Sequence, residues 1–350
     1  MSKRKLTKHQ RWRIDKIQDE RKVRAQKRDL ASDALLQTGE LGPEQAGLVI
    51  SHFGTQVEVE AMEAPLTGQV QRCHFRSNME TLVTGDRVVW CPGDPTGVVV
   101  AVKERGSVLL RPDNYNNLKP VAANIDHIII VLAPEPQSFP NLIDRYLVAA
   151  HASKIEPVLL LNKVDKISDM NAFMEQQQLA VYPKLGYRWL TASTKKQNGL
   201  AELKTFLQNK TSVFVGQSGV GKSSLINALL PDAHTAVGEL SDIGKGSHTT
   251  STARLFHLPE GASPETGSLI DSPGIREFGL WHIAAADLLD HFIEFRPYLG
   301  HCKFRDCLHH NEPHCAIRDA ITNGDITEQR FSSYWQIKHA LDENEKTLYS

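Results

Sequence analysis

The feature that most constrains this chain is a glycine-rich turn, GQSGVGKS at 216–223, set between a strand pattern and a helix pattern. The apolar run TSVFV precedes the turn, and SLINALL follows it. Glycines let the backbone wrap a phosphate while the helix N-terminus faces its negative charge, so this G-x-x-x-x-G-K-[ST] match predicts a nucleotide site. We expect Lys222 to reach the β- and γ-phosphates and Ser223 to ligate Mg²⁺. The expected nucleotide contacts here are Gly216, Gln217, Ser218, Gly219, Val220, Gly221, Lys222, Ser223 and Ser224.

A second pattern, N-K-V-D after the apolar run EPVLLL, indicates which base is bound. A carboxylate there can accept from the N1–H and 2-amino groups of guanine, whereas adenine would leave it unpaired at a large cost. Alone, the pattern is commonly a strand-end turn with an ion pair. Beside a phosphate loop it predicts GTP and argues against an ATP-dependent RNA remodeller or kinase. The expected base contacts are Asn162, Lys163, Val164 and Asp165, backed by a loop of Thr191, Ala192 and Ser193.

The segment D-S-P-G, at another strand end, supplies further candidates for the phosphate end of the site. Asp271 can hold Mg²⁺ through water, and the N–H of Gly274 can contact the γ-phosphate. The Gly- and Ser-rich loop GKGSHTTST offers Thr249 and Thr250 as Mg²⁺ ligands, and the sequence leaves the choice between them open.

The residue after D-S-P-G is Ile275, where small GTPases have a water-orienting glutamine. Isoleucine cannot hydrogen-bond to water, so unassisted hydrolysis should be slow. His248, directly before the threonines, is the candidate replacement, because an imidazole can orient or polarise water. The alternative is a solvent-exposed loop histidine.

Patterning along the chain predicts three structured parts. Five short strand segments, 48–61, 69–76, 86–92, 96–105 and 107–112, alternate with turn residues and favour a small barrel of the oligonucleotide-binding (OB) type. From 127 onward, apolar strands alternate with helices, which is typical of a doubly wound parallel α/β sheet. Helical patterns return after Trp281 and end in a helix over 327–346.

A cluster of cysteine and histidine interrupts the last part. Cys302, Cys307, His309 and Cys315 supply three thiolates and an imidazole within fourteen residues, a set that suits tetrahedral Zn²⁺ in a closed structural site. Three further histidines compete as ligands, and spacing alone cannot reject them: His301, His310 and His314. Cys73 and Cys91 lie in the barrel segments and are expected to be packing residues.

Composition excludes other classes of protein. Hydrophobic residues are 41% and charged residues 23%, and no apolar run approaches a bilayer span. The basic first residues lead into no apolar stretch, so no secretory signal is predicted. Residues 1–28 carry a charge of +9 in a chain of net −1, which favours a tail for a polyanion such as RNA over a merely solvated tail.

The order of the motifs is itself informative. The base pattern at 162–165 and the loop at 191–193 precede the phosphate loop, the threonines and D-S-P-G, whereas in the translational GTPases that the chain resembles the phosphate loop comes first. This predicts a circular permutation. With a barrel before it and a Cys/His cluster after it, the arrangement resembles the family of small ribosomal subunit biogenesis GTPases over nearly the whole chain.

The resemblance implies an α/β fold in which a circularly permuted P-loop GTPase domain stands between an OB-like β-barrel and a zinc-binding helical domain. The expected division is a basic, disordered tail over 1–36, the barrel over 37–112, the GTPase domain over 113–280 and the zinc domain over 281–350. The family pattern C-x₄-C-x-H-x₅-C selects His309 as the imidazole ligand, and a switch-loop histidine is implicated in catalysis.

The resemblance also implies a function. We expect a cytoplasmic, monomeric GTP hydrolase, with one Zn²⁺ per chain and Mg²⁺ accompanying GTP. It should bind the immature 30S subunit and its 16S rRNA near the decoding region, hydrolyse GTP on stimulation by that particle, and then dissociate. The alternative function is a GTP-binding RNA-interaction scaffold in which hydrolysis is incidental.

Overall fold

A computed structural model describes residues 41–76, 78–112, 117–231, 253–259, 266–271, 280 and 283–349. The chain divides into two compact units, of which the first ends at Arg105 and the second begins at Gly106. The predicted tail, 1–36, lies outside the described residues, and the predicted boundaries at 112 and 280 stay predictions.

The first unit holds a five-stranded barrel. Its strands are β1 (Gln45–His52), β2 (Gln56–Ala61), β3 (Val70–His74), β4 (Arg87–Cys91) and β5 (Gly97–Val102). β1 pairs antiparallel with both β2 and β4, while β3 runs parallel to β5, so the pairings close in the order β1-β2-β3-β5-β4. Apolar side chains such as Val57, Val59 and Trp90 fill its interior. The prediction of an OB-like barrel is confirmed.

Two of the predicted barrel segments differ from the structure. The stretch 48–61, expected to be one strand, contains β1 and β2, because Gly54 adopts a φ of +76° and the N–H of Phe53 donates to the carbonyl of Gln56 at 2.8 Å, which reverses the chain. The segment 107–112 is not a barrel strand. It forms β6 (Val108–Pro112), whose ladder is completed by β7 (Leu118–Ala123) in a separate two-stranded sheet.

The second unit contains the alternating α/β region that the sequence predicts. Its sheet strands are β8 (His127–Leu132), β9 (Glu156–Leu161), β10 (Arg188–Thr191), β11 (Thr211–Val215), β12 (Arg254–His257) and β13 (Ser268–Asp271). They lie in the order β10-β9-β8-β11-β13-β12. Every residue of β8 is buried, as expected for a central strand covered on both faces.

One strand departs from the predicted parallel arrangement. β12 runs antiparallel to β13, with Leu255 opposite Ile270. Ten residues separate His257 from Ser268, which is too short for the crossover connection that parallel neighbours need. The other pairings in this sheet are parallel.

In the described part of this α/β region the helices are α1 (Pro140–Ala152), α2 (Met170–Gln176), α3 (Val181–Lys184), α4 (Ala201–Leu207) and α5 (Lys222–Leu229). One buried cluster joins the sheet to α4 and α5, and it includes Val131, Leu160, Leu203, Phe214 and Leu225. The core therefore lies directly under the edge of the sheet from which the phosphate loop and the base motif emerge.

The C-terminal region is built from short elements and one long helix. Two 3₁₀ helices, Ala285–His291 and Arg296–Tyr298, are followed by α6 (Ala316–Asn323) and α7 (Glu328–Tyr349). The ring centroids of Phe292 and Phe295 lie 5.0 Å apart in a tilted arrangement, and both rings contact Tyr334 on α7. In the described part of the chain, no helix combines the length and apolar character that crossing a membrane requires.

Candidate functional site

The glycine-rich turn leaves β11 and ends where α5 begins at Lys222. Gly216 and Gly221 adopt φ values of 138° and 98°, which side chains rarely tolerate. A Cβ at Gly216 would lie 2.5 Å from the carbonyl of Val131, and one at Gly221 would lie 2.4 Å from Nδ2 of Asn162. Glycine is therefore required at both positions for the turn to seat against its neighbours.

Lys222 is the cation of this turn. It is 9% exposed, and its ammonium donates to the carbonyls of Gly216 and Gln217 at 2.6 and 2.7 Å. Ser218, Ser223 and Ser224 are exposed beside it. The turn thus places one ammonium, three hydroxyls and the N-terminus of α5 together, a set of donors suited to phosphate.

The base motif is bonded directly to this turn. The amide Nδ2 of Asn162 donates to the carbonyl of Val220 at 2.9 Å, and the ammonium of Lys163 donates to the carbonyl of Gly219 at 2.7 Å. Asn162 is 3% exposed, and Lys163 has a left-handed backbone with φ of 60°. These two hydrogen bonds hold the base motif against the phosphate loop, although the two segments are 53 or more residues apart in sequence.

Asp165 lies beside the predicted base-backing loop. Its Oδ1 accepts from Oγ of Ser193 at 2.5 Å, and this bond holds the pKa of Asp165 below its usual value. The hydroxyl oxygen of Ser193 in turn accepts from the N–H groups of Lys195 and Lys196 at 3.1 and 3.2 Å. The carboxylate is consequently kept ionised and oriented, as an acceptor for a base requires.

The rest of the predicted base contacts frame this carboxylate. The N–H of Val164 donates to the carbonyl of Ala192 at 3.3 Å, so the two loops run side by side. Thr191, which ends β10, lies 3.4 Å from Oε2 of Glu202 through both its N–H and its hydroxyl. The structure therefore brings the two predicted base segments together.

The loop between β8 and α1, residues 133–139, also borders the site and was missed in the sequence. The carbonyl of Glu135 accepts from the ammonium of Lys163 at 2.7 Å, and its carboxylate pairs with Lys166 at 2.7 Å. The amide of Gln217 donates to the carbonyl of Gln137 at 3.3 Å. Its sequence signal is the proline-rich stretch APEPQ directly after a buried strand, a position where binding loops of α/β sheets are found.

The remaining phosphate-end predictions are only partly described. Asp271 ends β13, which lies parallel to and beside β11, so the carboxylate stands at the same edge of the sheet as the phosphate loop. The other predicted groups of this end lie outside the described residues: His248, Thr249, Thr250, Gly274 and Ile275.

The Cys/His cluster is assembled in the C-terminal region. The ligand atoms of Cys302, Cys307, His309 and Cys315 all lie within 4.8 Å of one another. Nδ1 of His309 lies 3.6 Å from Sγ of Cys302 and 3.3 Å from Sγ of Cys315. Burial lowers the pKa of His309, which favours the neutral imidazole with a lone pair available for a metal, and raises the pKa of Cys315, which favours the neutral thiol unless a cation compensates the thiolate charge. These four groups could hold a metal ion.

The competing histidines, His301, His310 and His314, are not among the residues whose ligand atoms converge in the described part of the chain. His310 stacks on Trp335 with ring centroids 3.8 Å apart, and the backbone carbonyl of His314 accepts from the N–H of Lys303. His309 is the histidine grouped with the thiols, in a left-handed conformation with φ of 62°. Cys73 and Cys91 are buried in the barrel, as the packing interpretation expects.

Comparison with known proteins places these sites in context. The family model of the RsgA GTPase matches residues 102–281. The small ribosomal subunit biogenesis GTPase RsgA of Hahella chejuensis is 54% identical over 347 residues, which cover 99% of this chain and 98% of that protein. The protein of the same name from Azotobacter vinelandii is 56% identical over 347 residues, covering 99% of this chain and 100% of its own length.

Two solved structures share the fold at a lower level of identity. YloQ, described as a circularly permuted GTPase, is 30% identical with a TM-score of 0.67, over 86% of this chain and 96% of that one. YjeQ from Thermotoga maritima is 30% identical with a TM-score of 0.68, over 85% of this chain and 99% of that one. The permuted order of motifs in the present chain is thus shared with a solved structure.

Proposed function

Since the chain belongs to the RsgA GTPase family, we propose that it acts on the small (30S) ribosomal subunit late in maturation, hydrolysing GTP to GDP and phosphate when that particle stimulates it and then dissociating. The chain is a circularly permuted GTPase. The relatives from Hahella chejuensis and Azotobacter vinelandii carry small ribosomal subunit biogenesis in their names, which supports the choice of particle.

The observation that carries the proposal is the attachment of the base motif to the phosphate loop through Asn162 and Lys163. It joins a carboxylate at Asp165, suited to guanine, to an ammonium at Lys222, suited to phosphate. In the proposed complex Asp165 accepts from N1–H and the 2-amino group of guanine, with Ser193 fixing its orientation. Adenine would leave this charged acceptor without donors.

At the phosphate end we propose that Lys222 contacts the β- and γ-phosphates, and that Ser223 with Thr249 or Thr250 ligates Mg²⁺, while Asp271 holds the ion through water. Mg²⁺ would neutralise charge developing on the phosphates. The N–H of Gly274 is assigned to the γ-phosphate. His248 is assigned to the attacking water, because Ile275 cannot hydrogen-bond to it.

For the metal cluster we propose one structural Zn²⁺ per chain. A tetrahedral zinc at its usual distances from sulfur and nitrogen makes ligand-to-ligand edges of about 3.5–3.8 Å. Sγ of Cys302 lies 3.9 Å from Sγ of Cys315 and 3.6 Å from Nδ1 of His309, so these donors are already spaced for such an ion. Three thiols and one imidazole leave no open position, which supports a structural role over a catalytic one.

We propose that the protein works in the cytoplasm as a monomer, with the basic segment 1–28 contacting 16S rRNA. The test is GTP hydrolysis by the purified protein with and without purified 30S subunits, at two salt concentrations. Strong stimulation that declines as salt rises is expected, since phosphate contacts release counterions. Absence of stimulation at both concentrations would contradict the proposal and favour a GTP-binding scaffold.

A variant sharpens this test. His248→Ala should retain GTP binding and 30S binding while stimulated hydrolysis falls by about 10²-fold or more, as expected when a general base or water-orienting group is removed. Unchanged stimulated hydrolysis would refute the role assigned to His248.

A further inference from the structure

Arg330, on α7, is a buried cation far in sequence from the nucleotide motifs. Its side chain is 1% exposed, and its guanidinium donates to both carboxylate oxygens of Glu294, at 2.5 and 3.1 Å. A third bond from the guanidinium goes to Oδ1 of Asp144, on α1. The guanidinium also lies over the ring of Phe292, 4.5 Å from its centroid. The guanidinium of Arg330 therefore links α7 to α1 through a contact that is buried away from water.

Asp144 is close to the end of α1 that carries the site-bordering loop. It follows Pro140, the first residue of α1, by four residues, a rise of about 6 Å along the helix axis. The hydroxyl of Tyr182 donates to Oδ1 of Asp144 at 2.8 Å and lies 3.3 Å from the carbonyl of Pro140. The contact between Arg330 and Asp144 thus fixes the first turn of α1, and with it the end of the loop 133–139 that leads into this helix.

That loop contacts both halves of the nucleotide site. The carbonyl of Glu135 holds the ammonium of Lys163, and the carbonyl of Gln137 accepts from Gln217 in the phosphate loop. Pro136 packs near Gly219, since a Cβ there would lie 3.3 Å from Cδ of the proline. A displacement of α1 would therefore move groups that contact both the phosphate loop and the base motif.

The same part of α7 also contacts the loop that carries the metal ligands. Five residues after Arg330 on α7, Trp335 stacks on His310 at 3.8 Å, and His310 follows the ligand His309. Phe331 and Tyr334 lie on the same segment of α7, with their ring centroids 6.2 Å apart, and Tyr334 also meets Trp335 edge-on. The first three turns of this helix therefore touch the metal loop on one side and α1 on the other.

We propose that Arg330 is a positioning residue of the nucleotide site: through Asp144 it holds α1 and the loop at 133–139 against the phosphate loop, and so couples the metal-bearing region to nucleotide binding. The inference rests on the proposed assignment of nucleotide to residues 216–223.

The test is the affinity of the full-length protein for a fluorescent GDP analogue (mant-GDP). Arg330→Lys keeps the charge but cannot serve both carboxylates with one planar fork, and Asp144→Asn keeps the shape but weakens the pairing. Each should weaken mant-GDP binding about five- to tenfold, within the usual range of coupling between sites. The double variant should be little weaker than either single variant, because both remove one interaction.

The matched control is His339→Gln, on the same helix, where the exposed His339 side chain lies beside Glu343 and not beside α1. It should bind mant-GDP within twofold of the wild type. Folded Arg330→Lys and Asp144→Asn proteins with wild-type affinity would overturn the inference. Failure of the wild type to bind mant-GDP would instead refute the nucleotide site on which the inference rests.

A second measurement needs no variant, and it decides the case if both substitutions prevent folding. Amide hydrogen exchange of the wild-type protein should slow over 328–337 of α7 when GDP binds, while exchange in β2 of the barrel stays unchanged. Equal exchange over 328–337 with and without GDP would overturn the inference, since coupling between two sites is reciprocal.

Discussion

The nucleotide site and the metal cluster belong to one compact unit but are held in different ways. Backbone groups dominate the first: carbonyls of Val220, Gly219 and Glu135 receive the side chains of the base motif. Side chains dominate the second, where four ligand atoms converge in a loop between short helical elements. The parallel sheet sets the geometry of the nucleotide site, whereas the four ligand side chains themselves set the geometry of the metal cluster.

This difference predicts different responses to the loss of a single side chain. A loop whose position is set by strand ladders loses affinity when one group is removed but keeps its fold. A loop set by four convergent ligands loses most of its order, because the contacts that remain, such as the stacking of His310 on Trp335, hold only part of it. The predictions that follow test this contrast.

The largest effect is expected for Cys315→Ser, at the buried ligand that directly precedes α6. Structural zinc supplies on the order of 10 kcal/mol of folding free energy in small zinc modules. Metal content, measured by mass spectrometry, should fall to near zero, and amides of 302–323 should exchange rapidly.

The control for this change is Cys91→Ser, which alters a buried thiol of the barrel and leaves the cluster intact. It should retain one metal ion per chain. A Cys315→Ser protein that keeps both its metal and slow exchange over 302–323 would contradict the idea that four convergent ligands hold this region.

The next largest effect is expected for Asp165→Asn. An amide cannot accept from both N1–H and the 2-amino group of guanine, so two charge-assisted bonds to the base are lost. GTP affinity should fall by about 10²- to 10³-fold, while affinity for xanthosine triphosphate, which has a carbonyl at C2, should rise. Competition binding with both nucleotides measures the change.

Asp169→Asn is the matched control, since Asp169 is an exposed acid four residues further on that caps α2 through the N–H of Ala172. It should leave the preference for guanine unchanged and alter stability only slightly. An equal loss of GTP affinity in both variants would show that charge near the site, and not recognition of the base, is responsible.

The nucleotide motifs and the metal ligands could be predicted from the sequence to different extents, and the same contrast explains why. The phosphate loop and N-K-V-D are contiguous patterns whose flanking strands and helices obey local rules, so their placement was predicted. The cluster of three cysteines was predicted because its ligands lie within fourteen residues. The choice of histidine depended on the family pattern, since His301, His310 and His314 fit the spacing equally well until the fold stacks His310 on Trp335.

The misses arise where distant segments meet. The pairing of Arg330 with Asp144 joins residues 186 positions apart, and no local pattern signals it. The turn at Gly54 was overlooked because one glycine inside an alternating run resembles a strand interior as much as a reversal. The orientation of β12 depended on the length of a connection, which the periodicity of the strand does not report.

A smaller effect, in pH dependence, is expected from His151 on α1. Burial, with Arg296, His291 and Arg330 nearby, lowers the pKa of His151 to about 4, while its Nε2 lies 3.1 Å from the hydroxyl of Tyr187. The unfolded chain therefore takes up a proton below about pH 6.5 that the folded chain takes up only near pH 4. Stability falls as the pH falls through this window.

His151→Gln removes this titration while keeping a group that can bond to Tyr187. After allowance for partial exposure, the wild type should lose on the order of 2 kcal/mol more stability than the variant between pH 6.5 and 4. Urea unfolding at several pH values measures the difference. His339→Gln, at an exposed position, is the control and should follow the wild type; identical pH profiles for His151→Gln and the wild type would contradict the lowered pKa.

The smallest effect is expected for the ion pair between Lys166 and Glu135, which joins the base motif to the loop at 133–139. The two side chains are 43% and 74% exposed, and exposed pairs contribute little to stability because water and salt screen them. Glu135→Gln keeps the backbone carbonyl that receives Lys163, so mant-GDP affinity should stay within about threefold of the wild type at low salt and converge on it at high salt. A tenfold loss that persists at high salt would mean that the carboxylate of Glu135, and not its backbone carbonyl, holds the base motif, and the contrast between a nucleotide site joined by backbone groups and a metal cluster joined by side chains would fail.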